Sequence, residues 1–165
     1  MNLFLPEEKV CDSVIALDDK RLNKQIVECK TMLSIIDEHR TGGYANHPVT
    51  KYYSNYPAFL YYYGLTACLE YKFRFGKHHA CCDYFYQWAD KREDVIIIVP
   101  LPFYAEGAKG TPGCIRTTDN AIQLFRDKLC YKWDTDKYPP KWTNREPPIW
   151  YKNNYGKNHN LCLEK

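Results

Sequence analysis

Asp19-Lys20-Arg21-Leu22-Asn23-Lys24-Gln25-Ile26-Val27-Glu28-Cys29-Lys30-Thr31-Met32-Leu33-Ser34-Ile35-Ile36 is the stretch that decides the fold. Leu22, Ile26, Cys29, Leu33 and Ile36 recur at alternating steps of four and three residues, which is the spacing of one face of an α-helix. Asp18 and Asp19 stand just before them, where short acidic side chains cap a helix start. The stretch is an amphipathic helix, and its apolar face needs other elements to cover it.

Working outward, Met1 to Leu5 reads as an extended lead-in. Pro6-Glu7-Glu8 opens a helix that ends near Leu17, since proline suits a first turn and acids face the positive helix end. Downstream, Arg40 to Asn46 is a turn or loop, His47 to Asn55 holds one short helical piece, and Pro57 starts a long aromatic-rich helix that stops at Gly76. A further helix covers Ala80 to Arg92. Val95 to Val99, β-branched and closed by Pro100, is a short buried strand or an extended connector, with the connector preferred. Glu106 to Thr118 has the glycine content of a loop, and Asp119 begins a helix running to about Trp133. From Tyr138 the tail, rich in Pro, Trp, Asn and Lys, wraps the surface as irregular structure. No repeat or linker divides the chain, so the expectation is one mainly α-helical, all-α domain over residues 1–165.

Composition narrows the function. Fifteen Tyr, seven Phe and four Trp exceed what a core of this size needs, which places some rings at a binding surface. The net charge of +3 does not demand a long duplex track, and a small anion or a short stretch of nucleic acid fits it. The apolar runs are too short for a bilayer span and the N-terminus lacks the pattern of a signal peptide, so a cytoplasmic location is expected. The eight Cys then read as reduced, mostly buried thiols. Nothing calls for a cofactor, and His78, His79, Cys81 and Cys82 lack the second ligand pair of a structural zinc site.

Lys20, Arg21 and Lys24 occupy the first two turns of the second helix, where the helix dipole disfavours cations by about 0.3–1 kcal/mol each. A bound phosphate offsets that cost; so does a solvated basic face partly neutralised by Asp18, Asp19 and Glu28. A second cluster, Glu70 to His79, holds the helical pair Glu70 and Arg74, followed by Lys77 and His79. His47 precedes Pro48 as a lone imidazole.

Pro148-Ile-Trp150-Tyr151-Lys152-Asn-Asn-Tyr155-Gly156-Lys157 resembles the C-terminal stretch of phage pyrimidine-dimer DNA glycosylases, with one residue inserted. His47-Pro48-Val49-Thr50 before an aromatic helix is similar to the matching region of those enzymes. A closer likeness is to uncharacterised phage proteins related to them. It is carried by Asp19-Lys20-Arg21-Leu-Asn-Lys24, Asn46-His47-Pro48-Val-Thr50-Lys51, Glu70 to His79, and Trp142-Thr-Asn144-Arg145-Glu-Pro-Pro148-Ile-Trp150.

The resemblance implies a compact all-α fold with a basic face that holds phosphates and unstacked bases. Family enzymes use an exposed α-amine as nucleophile and a Glu of the second helix beside it. Here the second residue is Asn2, the plainest register puts Arg21 at the Glu position, and Glu28 stands about two turns further along, too far to take the role. The expectation is therefore a phage protein that sequesters a nucleotide-type immune signal without turnover, with no catalytic residue. A DNA-base glycosylase or cyclic-nucleotide hydrolase, with Glu70 or Asp19 as a relocated carboxylate and His47 or His79 as acid or base, is the alternative. The candidate ligand-binding set is Lys20, Arg21, Lys24, Asn46, His47, Lys51, Arg74, Lys77, His79, Arg145, Trp150 and Tyr151.

Overall fold

The computed structural model describes residues 3–92, 105–106, 116–117 and 119–154. Their order is α1 (Val10–Ala16), α2 (Asp19–Asp37), a 3-10 turn (Gly43–Asn46), α3 (Pro48–Tyr53), α4 (Pro57–Phe75), α5 (Cys82–Asp90), β1 (Ala105–Glu106), β2 (Arg116–Thr117), α6 (Asp119–Thr135) and α7 (Ile149–Asn154). The fold is mainly α-helical. β1 and β2 are a two-residue antiparallel pair, with Ala105 opposite Thr117. The connector expected over Val95–Val99 lies outside the described residues.

The amphipathic reading of α2 holds. Leu22, Ile26, Cys29 and Leu33 are fully buried and Ile36 packs on the cluster they join. α4 is the main partner of α2, and it also packs on α1 and α5. Pro57 opens α4, and Gly76 closes it in the left-handed region at φ 66°, which glycine adopts without a Cβ penalty. At Gly64 an added Cβ would lie 2.4 Å from the Phe85 ring and 3.1 Å from Cys29 Cβ, so the missing side chain lets α4 approach α2 and α5 closely.

α1 starts later than the sequence suggests, at Val10 rather than Pro6. The physical reason is tertiary. Ser13 Oγ donates to Glu7 O and accepts from Glu7 N, both at 3.1 Å. Arg126 Nε donates to Pro6 O at 2.8 Å, and the Glu7 carboxylate accepts from Arg126 and from Trp150 Nε1. These bonds hold Pro6 to Glu8 against α6 and the tail.

The tail is irregular up to Pro148 and then forms a short helix, α7, whose first turn closes on Pro148 O. The segment Lys141 to Arg145 is tied to the starts and ends of the older helices. Lys141 O accepts from Asp19 N at 2.8 Å, Thr143 Oγ1 donates to Asp19 at 2.7 Å, and Asn144 Nδ2 donates to Arg74 O at 2.8 Å. Trp142 Nε1 donates to Ala16 O at 3.0 Å. No helix among the described residues is long and apolar enough to cross a membrane.

Candidate functional site

The site begins with the local problem of three cations at a helix start. Asp18 is the N-cap residue of α2, but its side chain makes no capping bond. It accepts from Trp133 Nε1 at 2.8 Å and from Arg21 at 3.4 Å. Burial pushes the Asp18 carboxyl above its usual range, although the bonds from Trp133 and Arg21 pull it the other way. Arg21 is buried and pairs with Asp136 as well. Lys20 Nζ reaches the same Asp136 oxygen at 2.9 Å, and Lys24 lies 3.7 Å from Glu28. Arg21, and behind it Lys20, hold the Asp136 carboxyl below its ordinary value. The dipole cost at this helix start is therefore met in part by carboxylates of the same chain.

Positive charge is left over. Lys20, Arg21 and Lys24 line a cleft of about 80 Å³ together with Lys132, Gln25, Glu28 and Phe4. The side chains of Lys20 and Lys24 are 66% and 61% exposed, so their ammonium groups remain available to an anion. Glu28 is the carboxylate of this lining; its side chain is 11% exposed and it accepts from Gln25 Nε2 at 3.1 Å. Gln25 Oε1 in turn accepts from Phe4 N at 3.0 Å and from Tyr63 OH at 3.2 Å. Glu28 is thus set by a chain of bonds into the core rather than waving in solvent.

Four residues of this site were weighed differently by sequence reasoning or missed by it. Glu28 lies too far along the helix for the sequence register, yet it lines the cleft. Lys132 and Asp136 come from the end of α6 and the residue after it, far away in sequence, and Phe4 comes from the lead-in. Only Glu28 had a local signal: it follows Lys24 by four residues and so shares its face.

The other candidates are distributed elsewhere. Arg74 is buried among α1 and α4: it pairs with Glu70 at 2.7 Å and Asp19 at 3.0 Å, and donates to the carbonyls of Ile15 and Leu17 at 2.8 Å. That is a C-terminal clamp on α1 and presents almost no surface to a ligand. His47 Nδ1 accepts from Val49 N at 3.2 Å and caps α3. Asn46 ends the 3-10 turn and Lys51 lies exposed on α3; none of these three lines the cleft. Lys77 is exposed just past α4. His79 Nδ1 accepts from Cys81 N, which leaves Nε2–H to donate to Asn23 Oδ1 at 3.0 Å, and burial lowers its pKa. The neutral tautomer fits both bonds.

The tail candidates gather around Trp133. Trp150 stacks on it at 5.7 Å, Tyr151 meets its edge at 4.8 Å, and Trp142 approaches at 5.3 Å. Arg145 makes a two-point pair with Glu70 and lies 3.9 Å from the centre of the Phe73 ring. Trp142, Arg145 and Tyr151 line a second, larger groove; Trp150 does not. Among the described residues no group of three or more His, Cys, Asp or Glu is placed to hold a metal ion.

Fold and cleft define a small helical protein with a basic, carboxylate-bearing cleft along one helix. Residues 1–83 match the family described as pyrimidine dimer DNA glycosylase, and the chain belongs to that family. The matched part contains α1 to α4 and most of the cleft, while Lys132 and the tail resemblance lie beyond it. No curated protein and no solved structure gives a significant match.

Proposed function

We propose that the chain binds DNA along the α2 cleft and acts there as a DNA-base glycosylase, with Glu28 as the carboxylate that faces the sugar. The observation that carries this is the placement of Glu28, mostly buried, in a cleft whose other charged linings are Lys20, Arg21, Lys24 and Lys132. Breaking an N-glycosidic bond leaves positive charge on the sugar, and a fixed carboxylate in a partly dehydrated site stabilises that charge. The surrounding cations hold the flanking phosphates, which repel the carboxylate if unpaired.

A second reading, sequestration of a nucleotide immune signal without turnover, asks more of this cleft. Pockets that enclose small molecules run to roughly 300–1,000 Å³. A cleft of about 80 Å³ is of phosphate or sugar size instead. The experiment that separates the readings uses a duplex carrying ultraviolet-induced pyrimidine dimers. Wild type should bind it and open an abasic sugar at the dimer, read as an alkali-labile strand break, while the cleaved base stays joined to its neighbour. Glu28→Gln should bind at least as tightly while losing that cleavage by about two to three orders of magnitude. Equal glycosidic cleavage by Glu28→Gln and wild type, or no binding by either, overturns the proposal.

A further inference from the structure

Four thiols converge where α2, α4 and α5 pack together, and none of them lines the α2 cleft. Gly64 brings α4 against Phe85 of α5 and against Cys29 of α2. Cys68 stands one turn further along α4 and Cys82 one turn back along α5, so the two sit on the facing sides of this helix pair. Their side chains hydrogen-bond to each other, and Cys81 and Cys29 lie near enough for their charges to act on Cys68. Cys29, Cys68 and Cys82 are buried, whereas Cys81 is partly exposed.

We propose that this junction is an oxidative modification site for peroxide, with Cys81 taking up the oxygen and a Cys68–Cys82 disulfide as the product. Cys81 stands at the N-cap of α5, where the positive helix end favours a thiolate. Burial pushes its thiol up, and the Lys30 ammonium pulls it the other way. The backbone at this helix start is fixed by His79, whose Nδ1 accepts from Cys81 N at 3.0 Å and whose O accepts from Cys82 N at 2.9 Å. The exposed thiol and the buried pair are therefore held together before any oxidant arrives.

The chemistry balances in three steps. The Cys81 thiolate attacks one peroxide oxygen: the S–O bond forms, the O–O bond breaks, and the other oxygen leaves as hydroxide and takes a proton to become water. Cys68 then attacks the Cys81 sulfur: the S–S bond forms, the S–O bond breaks, and the Cys68 proton leaves with the hydroxyl as a second water. Attack by Cys82 on the Cys68 sulfur moves the disulfide to the pair already in contact and returns a proton to Cys81. Two thiols lose two electrons and one peroxide gains them. A Cys81–Cys82 bond is disfavoured, because adjacent residues at a helix start do not face each other.

The test treats the reduced full chain with hydrogen peroxide, alkylates it in denaturant and maps its peptides by mass spectrometry without reduction. The Cys68 and Cys82 peptides should be joined, with Cys81 alkylated, and dithiothreitol should restore both missing labels. Cys68→Ala, its fold checked by circular dichroism, should stop at a Cys81 sulfenic acid that dimedone captures, and Cys81→Ser should slow the linkage about tenfold. Wild type alone decides if either variant unfolds. Cys68 and Cys82 both still alkylated at a dose that oxidises the exposed Cys11, or an end product joining any other pair, overturns the site. Linkage at an unchanged rate in Cys81→Ser overturns Cys81 as the point of oxygen uptake. None of these readouts involves DNA, so the site stands or falls apart from the glycosylase reading.

Discussion

Arg145 of the tail grips Glu70 of α4 at two points, Nε to Oε1 at 2.8 Å and a terminal nitrogen to Oε2 at 2.7 Å. Glu70 also accepts from Arg74 Nε at 2.7 Å, so one buried carboxylate joins the tail to the clamp on α1. Burial opposes ionisation of Glu70, but the hydrogen bonds from Arg145 and Arg74 outweigh it and hold the carboxyl below its ordinary value.

That shift has a sign. A carboxyl with a lowered folded pKa adds stability above its unfolded pKa and loses it as pH falls through the folded value. Asp18, whose folded pKa is raised by burial, works the other way: its contribution falls as pH rises above the usual carboxylate value. Melting temperature measured from pH 3 to 6 should therefore rise less steeply with pH in Glu70→Gln and more steeply in Asp18→Asn. At neutral pH Glu70→Gln should also cost about 3 kcal/mol, because Arg74 is left as an under-compensated buried charge. Parallel profiles for both variants and wild type would sink this assignment.

Gly64→Ala should destabilise the protein by about 1–3 kcal/mol in urea unfolding, although alanine is the better helix former by about 1 kcal/mol. The new methyl meets Phe85, which is itself fully buried and has nowhere to swing. Restoration by Phe85→Leu in the Gly64→Ala background would place the conflict at that contact; a neutral or stabilising Gly64→Ala would show that α4 and α5 can separate freely.

Native-state alkylation should order the thiols. Cys11 is exposed and Cys81 partly so, whereas Cys29, Cys68, Cys82 and Cys130 are buried. Burial pushes the Cys29 and Cys68 thiols up, which lowers their thiolate fraction further. Among these six, peptide mapping by mass spectrometry should find Cys11 labelled first and those four only when denaturant opens the core. Early labelling of Cys29 would contradict the packing of α2 on α4.

What the sequence makes legible here is local. The apolar face of α2 and the bounds of α4 at Pro57 and Gly76 are written in neighbouring residues, through periodicity and through the conformational habits of proline and glycine. The late start of α1 is not, because the bonds that hold Pro6 to Glu8 come from Arg126 and Trp150, more than a hundred residues away in the chain. The same holds at the site. Lys20, Arg21 and Lys24 were readable as a cationic start, but Asp136 and Lys132 reach them only through the packing of α6. In the sequence Glu28 stands apart from Arg21 by an axial separation of about 10 Å at 1.5 Å per residue. A cleft running along the helix spans that distance, and the Gln25 bond fixes the carboxylate in it.

The last prediction concerns how the cleft holds DNA. If Lys20, Lys24 and Lys132 contact phosphates, each releases about one counterion on binding, and the slope of log K against log salt should flatten by about 1 for each Lys→Ala substitution. Lys24 and Lys132 give the simplest cases. Lys24 has only a loose pair with Glu28 at 3.7 Å, so removing it changes little in the free protein. Lys20 differs, because Lys20→Ala also leaves Asp136 to Arg21 alone, and the carboxylate is then less neutralised beside a bound strand. Its loss should weaken binding more than that of Lys24, by an extra amount that disappears in the Asp136→Asn background. Lys51→Ala and Lys77→Ala, both exposed and outside the cleft, should leave the slope unchanged. Fluorescence anisotropy of a labelled duplex across 50–300 mM salt gives all these slopes in one series. Equal flattening by Lys51→Ala and Lys24→Ala would mean that the whole basic surface, and not the α2 cleft, carries the binding.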